Sequence, residues 1–226
     1  MDHALPSLIS AAAAFVGTHF AMSHPFRARL VERLGAAGFQ ITYSLVAFAT
    51  FGWMVMAFRS VPPTAPLWQG FASGPWIIAT VLMLLASVLM VGSYIGNPAL
   101  PAPGAAELAA KGPHGVFHVT RHPMMWSFAL WSVSHVLVSP TPRVIVLSLA
   151  MAFLALAGSH MQDRKKEVLM GAAWQGWEAR TSYWPKLGAL GKAGAVPWIG
   201  GIALWLAASW AHGWLIAIPA GVWRWL

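Results

Sequence analysis

Residues 76–95 read WIIATVLMLLASVLMVGSYI and contain no Asp, Glu, Lys or Arg. A helix needs about 20 mostly apolar residues to cross a bilayer, and this stretch meets that length. The whole chain has the same character, because 58% of its 226 residues are AVILMFWYC and only 9% are charged. A soluble domain carries about 25% charged residues. The sequence therefore predicts an all-α integral membrane protein, with residues 1–226 forming a single domain.

Six apolar segments predict a bundle of six transmembrane helices. They cover residues 5–22, 39–58, 76–95, 124–138, 144–161 and 198–223. The first lacks the preceding Lys or Arg of a cleavable signal peptide, so we expect it to remain as a helix. The fourth is short and is followed at once by two prolines, which predicts a tight hairpin with the fifth. Residues 173–185 are amphipathic and predict an interfacial helix before the last span.

The basic residues test this layout, because they fall mostly in alternate connections. Eleven of the 14 belong to the first, third and fifth: Arg27, Arg29, Arg33, Lys111, Arg121, Arg164, Lys165, Lys166, Arg180, Lys186 and Lys192. The other three are Arg59, Arg143 and Arg224. Under the positive-inside rule this distribution predicts six spans, with both termini outside the cytoplasm. We therefore expect the basic residues behind the net charge of +8 to orient the protein in a lipid bilayer. No nucleic acid partner is expected.

Histidine is the candidate metal ligand, because the chain has no cysteine and an intramembrane ionisable group is costly. His19, His135 and His212 lie within predicted spans. Each could be a neutral imidazole bonded to a neighbouring carbonyl. Alternatively, two histidines that point inward from separate helices could hold a haem. His19 shares a helix face with Phe15, and His135 shares one with Trp131, so both have apolar surroundings.

Residues 115–123, GVFHVTRHP, form the sharpest local motif. Pro123 suits the first turn of the fourth helix, which would place Thr120, Arg121 and His122 at the helix start. Free backbone N–H groups there could bind a haem propionate or a phosphate. The alternative is a loop that closes the bundle, with Arg121 against a lipid headgroup. Asp163, which follows the fifth span, is expected to pair with Arg121 or with Arg27.

These residues resemble the NnrU family of bacterial membrane proteins. The likeness extends over nearly the whole chain. It rests on Gly17-Thr18-His19 with Arg27 and Arg29, Leu34-Gly35 with Tyr43-Ser44-Leu45, Thr120-Arg121-His122-Pro123 with Trp131 and His135, and Asp163-Arg164-Lys165. That family includes the ζ-carotene isomerase of cyanobacteria and plants, a haem b protein that isomerises the central 15-cis double bond of a linear polyene. Its bacterial members are associated with denitrification.

The resemblance implies that His19 and His135 match the two axial ligands of haem b iron and are the catalytic pair. Arg121, His122, Thr120, Arg27 and Trp131 are the remaining candidate cofactor-binding residues. Helix geometry disfavours the pair, because His135 is expected about 18 Å beyond Pro123 along its helix. His19 instead lies near the basic end of its own helix. His160, at a more similar depth, is the rival ligand.

Three functions follow from this sequence-based interpretation. The first is a haem-dependent cis–trans isomerase acting on an apolar polyene or another lipid-like small molecule, with a redox partner that keeps the iron reduced. The second is a non-catalytic haem or nitric oxide accessory protein of denitrification. The third is an S-adenosylmethionine-dependent membrane methyltransferase that uses His122 and the loops near Glu178. The third rests on a narrower likeness of residues 112–123 to isoprenylcysteine carboxyl methyltransferases.

Overall fold

The computed structural model describes residues 3–100 and 103–226. Within them the chain forms eight α-helices and no strand. Their bounds are α1 Ala4–Ser23, α2 Arg27–Ser60, α3 Ser73–Gly92, α4 Ala105–Lys111, α5 Pro123–Val138, α6 Pro142–Met170, α7 Ala172–Arg180 and α8 Ala195–Ile216. Short 3₁₀ helices cover Gly115–His118, Leu187–Ala193 and Gly221–Arg224. The all-helical fold is thus confirmed.

Five helices of the described chain are long and apolar enough to cross a membrane: α1, α2, α3, α6 and α8. This makes the protein a multi-pass membrane protein. The sixth expected span, α5, is apolar but only 16 residues long. At about 1.5 Å per residue it measures about 24 Å, short of the roughly 30 Å of a hydrocarbon core. The predicted tight hairpin is confirmed, since only residues 139–141 join α5 to α6.

Some helix bounds differ from the sequence-based expectation for local reasons. The last long helix was expected to reach residue 223, but α8 ends at Ile216. Ala217 adopts a left-handed conformation with φ 56°, and Pro219 lacks the N–H that a continued helix needs. The second helix begins earlier than expected, at Arg27, and is broken at Gly35. With φ 70°, Gly35 uses a conformation that other residues reach only with strain.

The six apolar helices pack side by side in the order α2, α1, α6, α5, α3, α8. The row is curved, because α2 and α8 at its two ends both line one cavity. Small residues allow close contact between α3 and α8: a Cβ on Gly201 would lie 2.6 Å from the Val88 Cα. Such close approach is the usual basis of helix packing in lipid, where burial of apolar surface contributes little.

Contacts between loops show the direction of the helices: apolar helices that follow one another along the chain run in opposite directions, whereas α1 and α6, which are neighbours in the row, run in the same direction. At one end the Leu67 N–H donates to the Pro140 carbonyl, and Trp76 Nε1 donates to the carbonyl of Gly221. The other end, formed by residues 24–33, 103–122 and 163–194, carries the eleven basic residues named above. We call it the basic end. Residues 172–180 within it form the expected helix, but Trp174 and Trp177 are fully buried, and its interfacial position stays a prediction.

Candidate functional site

Two adjoining cavities lie inside the curved row of helices. The central cavity, about 370 Å³, is walled by side chains of α2, α3, α5, α6 and α8. The second, about 330 Å³, lies between α1, α2, α5 and α6 and includes His19 in its wall. We call it the His19 cavity. Phe128 and Met151 line both, so the two cavities adjoin at these two side chains. Volumes of this size are typical of small-molecule sites.

His19 is held in one orientation within its cavity. Its Nδ1 donates to the Phe15 carbonyl at 2.7 Å, and its ring lies 4.3 Å from the Phe15 ring and 5.4 Å from the Tyr43 ring, centroid to centroid. The Nε2 atom has no hydrogen-bond partner within residues 3–100 and 103–226. An imidazole with Nδ1–H bonded to a carbonyl presents its Nε2 lone pair outward, as in an axial haem ligand.

His135 has the same local geometry but different neighbours. Its Nδ1 donates to the Trp131 carbonyl at 2.8 Å, and its ring lies 4.1 Å from the Trp131 ring and 6.2 Å from the ring of His212. Trp131 lines the central cavity, whereas His135 lies one helical turn beyond it. His19 and His135 therefore contact different aromatic side chains. In each, Nδ1 is bonded to a backbone carbonyl, as is common in histidines that bind haem iron through Nε2.

The remaining histidine candidate, His160, lies on the surface. Its Nε2 accepts a hydrogen bond from Arg164 Nε at 3.3 Å, one turn along α6. It lines neither cavity. In the described part of the chain there is no cluster of three or more His, Cys, Asp or Glu side chains suited to a metal ion.

Arg121, His122 and Asp163 form a buried ionic cluster at the basic end. Arg121 donates from Nη2 and Nε to Asp163 Oδ2, at 2.7 and 3.0 Å, and its Nη2 lies 3.3 Å from Glu178 Oε1. His122 Nε2 is 2.8 Å from Asp163 Oδ1. His122 and Asp163 are 2% and 5% exposed. The predicted pairing of Asp163 with Arg121 is confirmed, so that arginine is already neutralised by carboxylates.

Thr120 and Tyr183 attach the segment after α7 to the start of α5. Thr120 Oγ1 and Trp126 Nε1 both donate to the Tyr183 carbonyl, at 2.7 and 2.9 Å. The Tyr183 hydroxyl donates to the Leu156 carbonyl at 2.8 Å. α5 begins at Pro123, as expected. The GVFHVTRHP motif thus closes the bundle through protein contacts, and its Arg121 pairs with protein carboxylates.

Glu178 on α7 is the one member of the cluster with a strongly altered acidity. Burial, the Asp163 charge and a hydrogen bond with Glu167 together raise the pKa of Glu178 to about 7, although Arg121 partly opposes them. Two carboxyl groups that share a hydrogen bond favour one remaining protonated. Glu178 is therefore a carboxyl group that can exchange a proton near neutral pH.

Three polar residues of the His19 cavity were not among the site residues predicted from the sequence: Tyr43, His24 and Lys165. Lys165 belongs to a charged run that is typical of a solvated helix end. Its helical spacing could have indicated the cavity, because Gly158, Gln162 and Lys165 follow each other at spacings of four and three and all line the cavity. The apolar face of α6 thus continues into its charged end.

Comparison with known proteins identifies one family. No curated protein and no solved structure matches the chain. The sequence matches the family described as NnrU protein over residues 7–220, a range that includes every helix that lines the two cavities. The chain therefore belongs to the NnrU family.

Proposed function

We propose that this protein is a haem b membrane enzyme that isomerises a cis double bond of an elongated apolar polyene. The single observation that carries the proposal is His19: an oriented imidazole, with Nε2 free of hydrogen bonds among the described residues, in the wall of an apolar cavity. Family membership supports it. His19 and His135 are the residues proposed to hold the haem, with Trp131 beside His135.

The two histidines differ in how well their surroundings suit a haem. Imidazole is a common axial ligand, and one proximal histidine is enough to hold haem in many proteins. His19 has both the free nitrogen and the adjoining space. His135 has the oriented ring, but it borders Trp131 and His212 rather than the wall of either cavity. We therefore propose His19 as the stronger of the two ligands.

The chain's own contribution is a dry and elongated binding cleft. Phe51, Phe128 and Met151 border the central cavity, and Ser87 Oγ and Ser127 are its hydroxyl-bearing residues. Such a wall binds an apolar polyene by excluding water and aligns it along the cleft. When bound, haem iron would coordinate the π-system and lower the bond order of the double bond. Isomerisation then conserves all atoms and electrons of the substrate.

Access to the cleft is expected from the lipid side. α2 and α8 are the outer helices of the row, and both border the central cavity. Their outward side chains are apolar and exposed, including Phe48 at 74% and Trp214 at 77%. Acyl chains would cover these faces in a bilayer, so a polyene dissolved in the membrane reaches the cleft without crossing water.

An absorption spectrum of the detergent-purified protein tests haem binding. We expect a Soret band that is lost in His19→Ala, is weakened or shifted in His135→Ala, and is retained in the matched surface variant His160→Ala. A colourless wild-type protein after haem supplementation during expression would contradict the proposal. So would a Soret band unchanged in the His19→Ala, His135→Ala double variant.

Co-expression with a pathway that accumulates cis-carotenes tests the reaction. We expect the fraction of all-trans product to rise with the wild-type protein and to stay at background with His19→Ala. Unchanged isomer ratios in the presence of a haem-loaded protein would remove the isomerase assignment. A deletion strain with normal pigments but defective nitrite or nitric oxide reduction would instead favour the accessory function.

A further inference from the structure

The basic end of the His19 cavity carries positive charge that no carboxylate of the described chain neutralises. His24 and Lys165 line the cavity there, and both are half-buried. Arg27 lies close enough to Lys165 for their charges to interact, as does His24. None of the three forms an ion pair in the described chain, where the ion pairs involve only Arg121 and His122. The cavity therefore ends in a cationic mouth, defined by His24, Arg27 and Lys165; Lys165 and Arg27 carry its charge, because burial and the Lys165 charge lower the pKa of His24.

The nearby carboxylates are committed to other partners. Asp163, two residues before Lys165, is bonded to Arg121 and His122. Glu178 pairs with Arg121 and shares a hydrogen bond with Glu167. The cationic mouth thus differs from the Arg121 site, where the guanidinium already has two anionic neighbours.

Most of the remaining wall of the same cavity is apolar, although His19 and Tyr43 also line it. Phe15, Phe20, Phe128, Met151 and Leu154 surround the space beyond the mouth. A half-buried ammonium without a counter-charge loses part of its hydration. An anion bound beside it would offset that cost and gain charge-assisted hydrogen bonds. The combination of a cationic end and an apolar interior matches a ligand that is itself amphipathic.

We propose that the cationic mouth binds the anionic head of an amphipathic ligand whose apolar body lies in the His19 cavity. The head is a carboxylate or a phosphate, and Lys165 is its main contact. The volume of about 330 Å³ suits a single apolar chain or ring system. This inference goes beyond the proposed function, because it assigns the chemistry of the ligand's head group and requires no iron; it concerns the haem-free protein, since a haem on His19 would use the same cavity.

Paired ligands that differ only in charge test the proposal directly. Wild-type protein in phosphatidylcholine nanodiscs is titrated with radiolabelled palmitate and, separately, with 1-hexadecanol. We expect palmitate to bind about tenfold more tightly or better, the range of a charge-assisted hydrogen bond. Lys165→Gln should abolish this preference. The control Lys186→Gln, an exposed lysine at the same end, should retain it.

Two further measurements separate the possible causes of a lost preference for palmitate. Lys165→Arg preserves the charge and should preserve the preference, which separates loss of charge from loss of folding. The titrations use protein prepared without haem, and absorption spectra are recorded separately after haem supplementation; Lys165→Gln should keep any Soret band of the wild-type protein, so failure of the haem proposal and failure of this one are distinguishable. Equal affinity of the wild-type protein for acid and alcohol, or an unchanged preference in Lys165→Gln, would overturn the inference.

Nanodiscs with added phosphatidylglycerol separate the two sources of the anion. If a membrane lipid occupies the mouth, palmitate affinity should fall several-fold in the wild-type protein but not in Lys165→Gln. If the occupant is a free single-chain acid, palmitate affinity should be insensitive to phosphatidylglycerol. Both results support an anion at Lys165. Equal competition in the wild-type protein and in Lys165→Gln would show binding elsewhere and contradict the proposal.

Discussion

Three histidines within the long helices share one hydrogen-bond geometry. In each, Nδ1 bonds to the carbonyl of the residue four positions earlier: Phe15 for His19, Trp131 for His135 and Ala208 for His212. This bond satisfies one ring nitrogen without leaving the helix, which lowers the cost of an imidazole in an apolar environment. A carbonyl-bonded histidine and a ligating histidine are therefore compatible, because the bond leaves Nε2 available.

Substitution of Asp163 is predicted to destabilise the protein more than substitution of any other residue in the ionic cluster. Asp163→Asn removes the charge that Arg121 and His122 share and leaves a buried guanidinium without its main partner. Breaking one side of a buried ion pair costs about 3 to 5 kcal/mol. We expect a clear fall in the thermal midpoint measured in detergent. Glu32→Gln, an exposed carboxylate at the same end, should leave the midpoint unchanged, and equal effects of the two variants would argue against the cluster's role.

The raised pKa of Glu178 predicts that the stability of the protein depends on pH. Its pKa is about 7 in the folded protein, compared with an ordinary value of 4.5. Between these values Glu178 binds more protons in the folded state than in the unfolded state, so its contribution to stability falls as pH rises from about 4.5 to about 7. Thermal midpoints of the wild-type protein and Glu178→Gln, compared across this range, should diverge with increasing pH in favour of the variant. A constant difference would contradict the raised pKa.

At the scale of helices, the contact between α3 and α8 depends on glycine. A Cβ on Gly201 would lie 2.6 Å from Val88 Cα and 2.8 Å from Val88 N. Because these are backbone atoms, no side-chain rotation relieves the overlap, and the two helices must separate. Gly92 shows a similar closeness to Val116, although there the neighbouring atoms belong to a side chain.

Gly201→Ala is therefore expected to destabilise the protein by more than about 1 kcal/mol, the lower range for overpacking. Gly213→Ala, on the same helix with open space around it, should be neutral or stabilising, since Ala has the higher helix propensity by about 1 kcal/mol. Thermal unfolding in detergent compares the two. A smaller loss for Gly201→Ala than for Gly213→Ala would contradict the close packing.

At the scale of the molecule, the charge distribution predicts membrane orientation. Eleven of the 14 basic residues lie at the basic end, which the positive-inside rule assigns to the cytoplasm. The chain has no cysteine, so single cysteines can be introduced at exposed sites. Thr64→Cys should react with a membrane-impermeant maleimide in spheroplasts, and Lys186→Cys only after permeabilisation. Reaction of both in intact spheroplasts would contradict the two-sided arrangement.

The sequence by itself determined the helical membrane class and the positions of most helices. Those features depend on local properties: runs of about 20 apolar residues, the absence of charge within residues 76–95, and the proline that starts α5. The sequence also predicted that Asp163 pairs with an arginine of the basic end, but it left Arg121 and Arg27 as alternatives, and the structure selects Arg121.

Only the tertiary structure decided which side chains share a cavity. Neither hydropathy nor spacing shows that the row of helices curves, so that α2 meets α8 across the central cavity. Nor do they show that Lys165 turns towards His19 while His135 borders His212. In lipid all apolar helix faces have similar solvation, so the packing partners are selected by small residues and side-chain shape. The choice of packing partner depends on two helices together, so it cannot be predicted from each segment of the sequence alone.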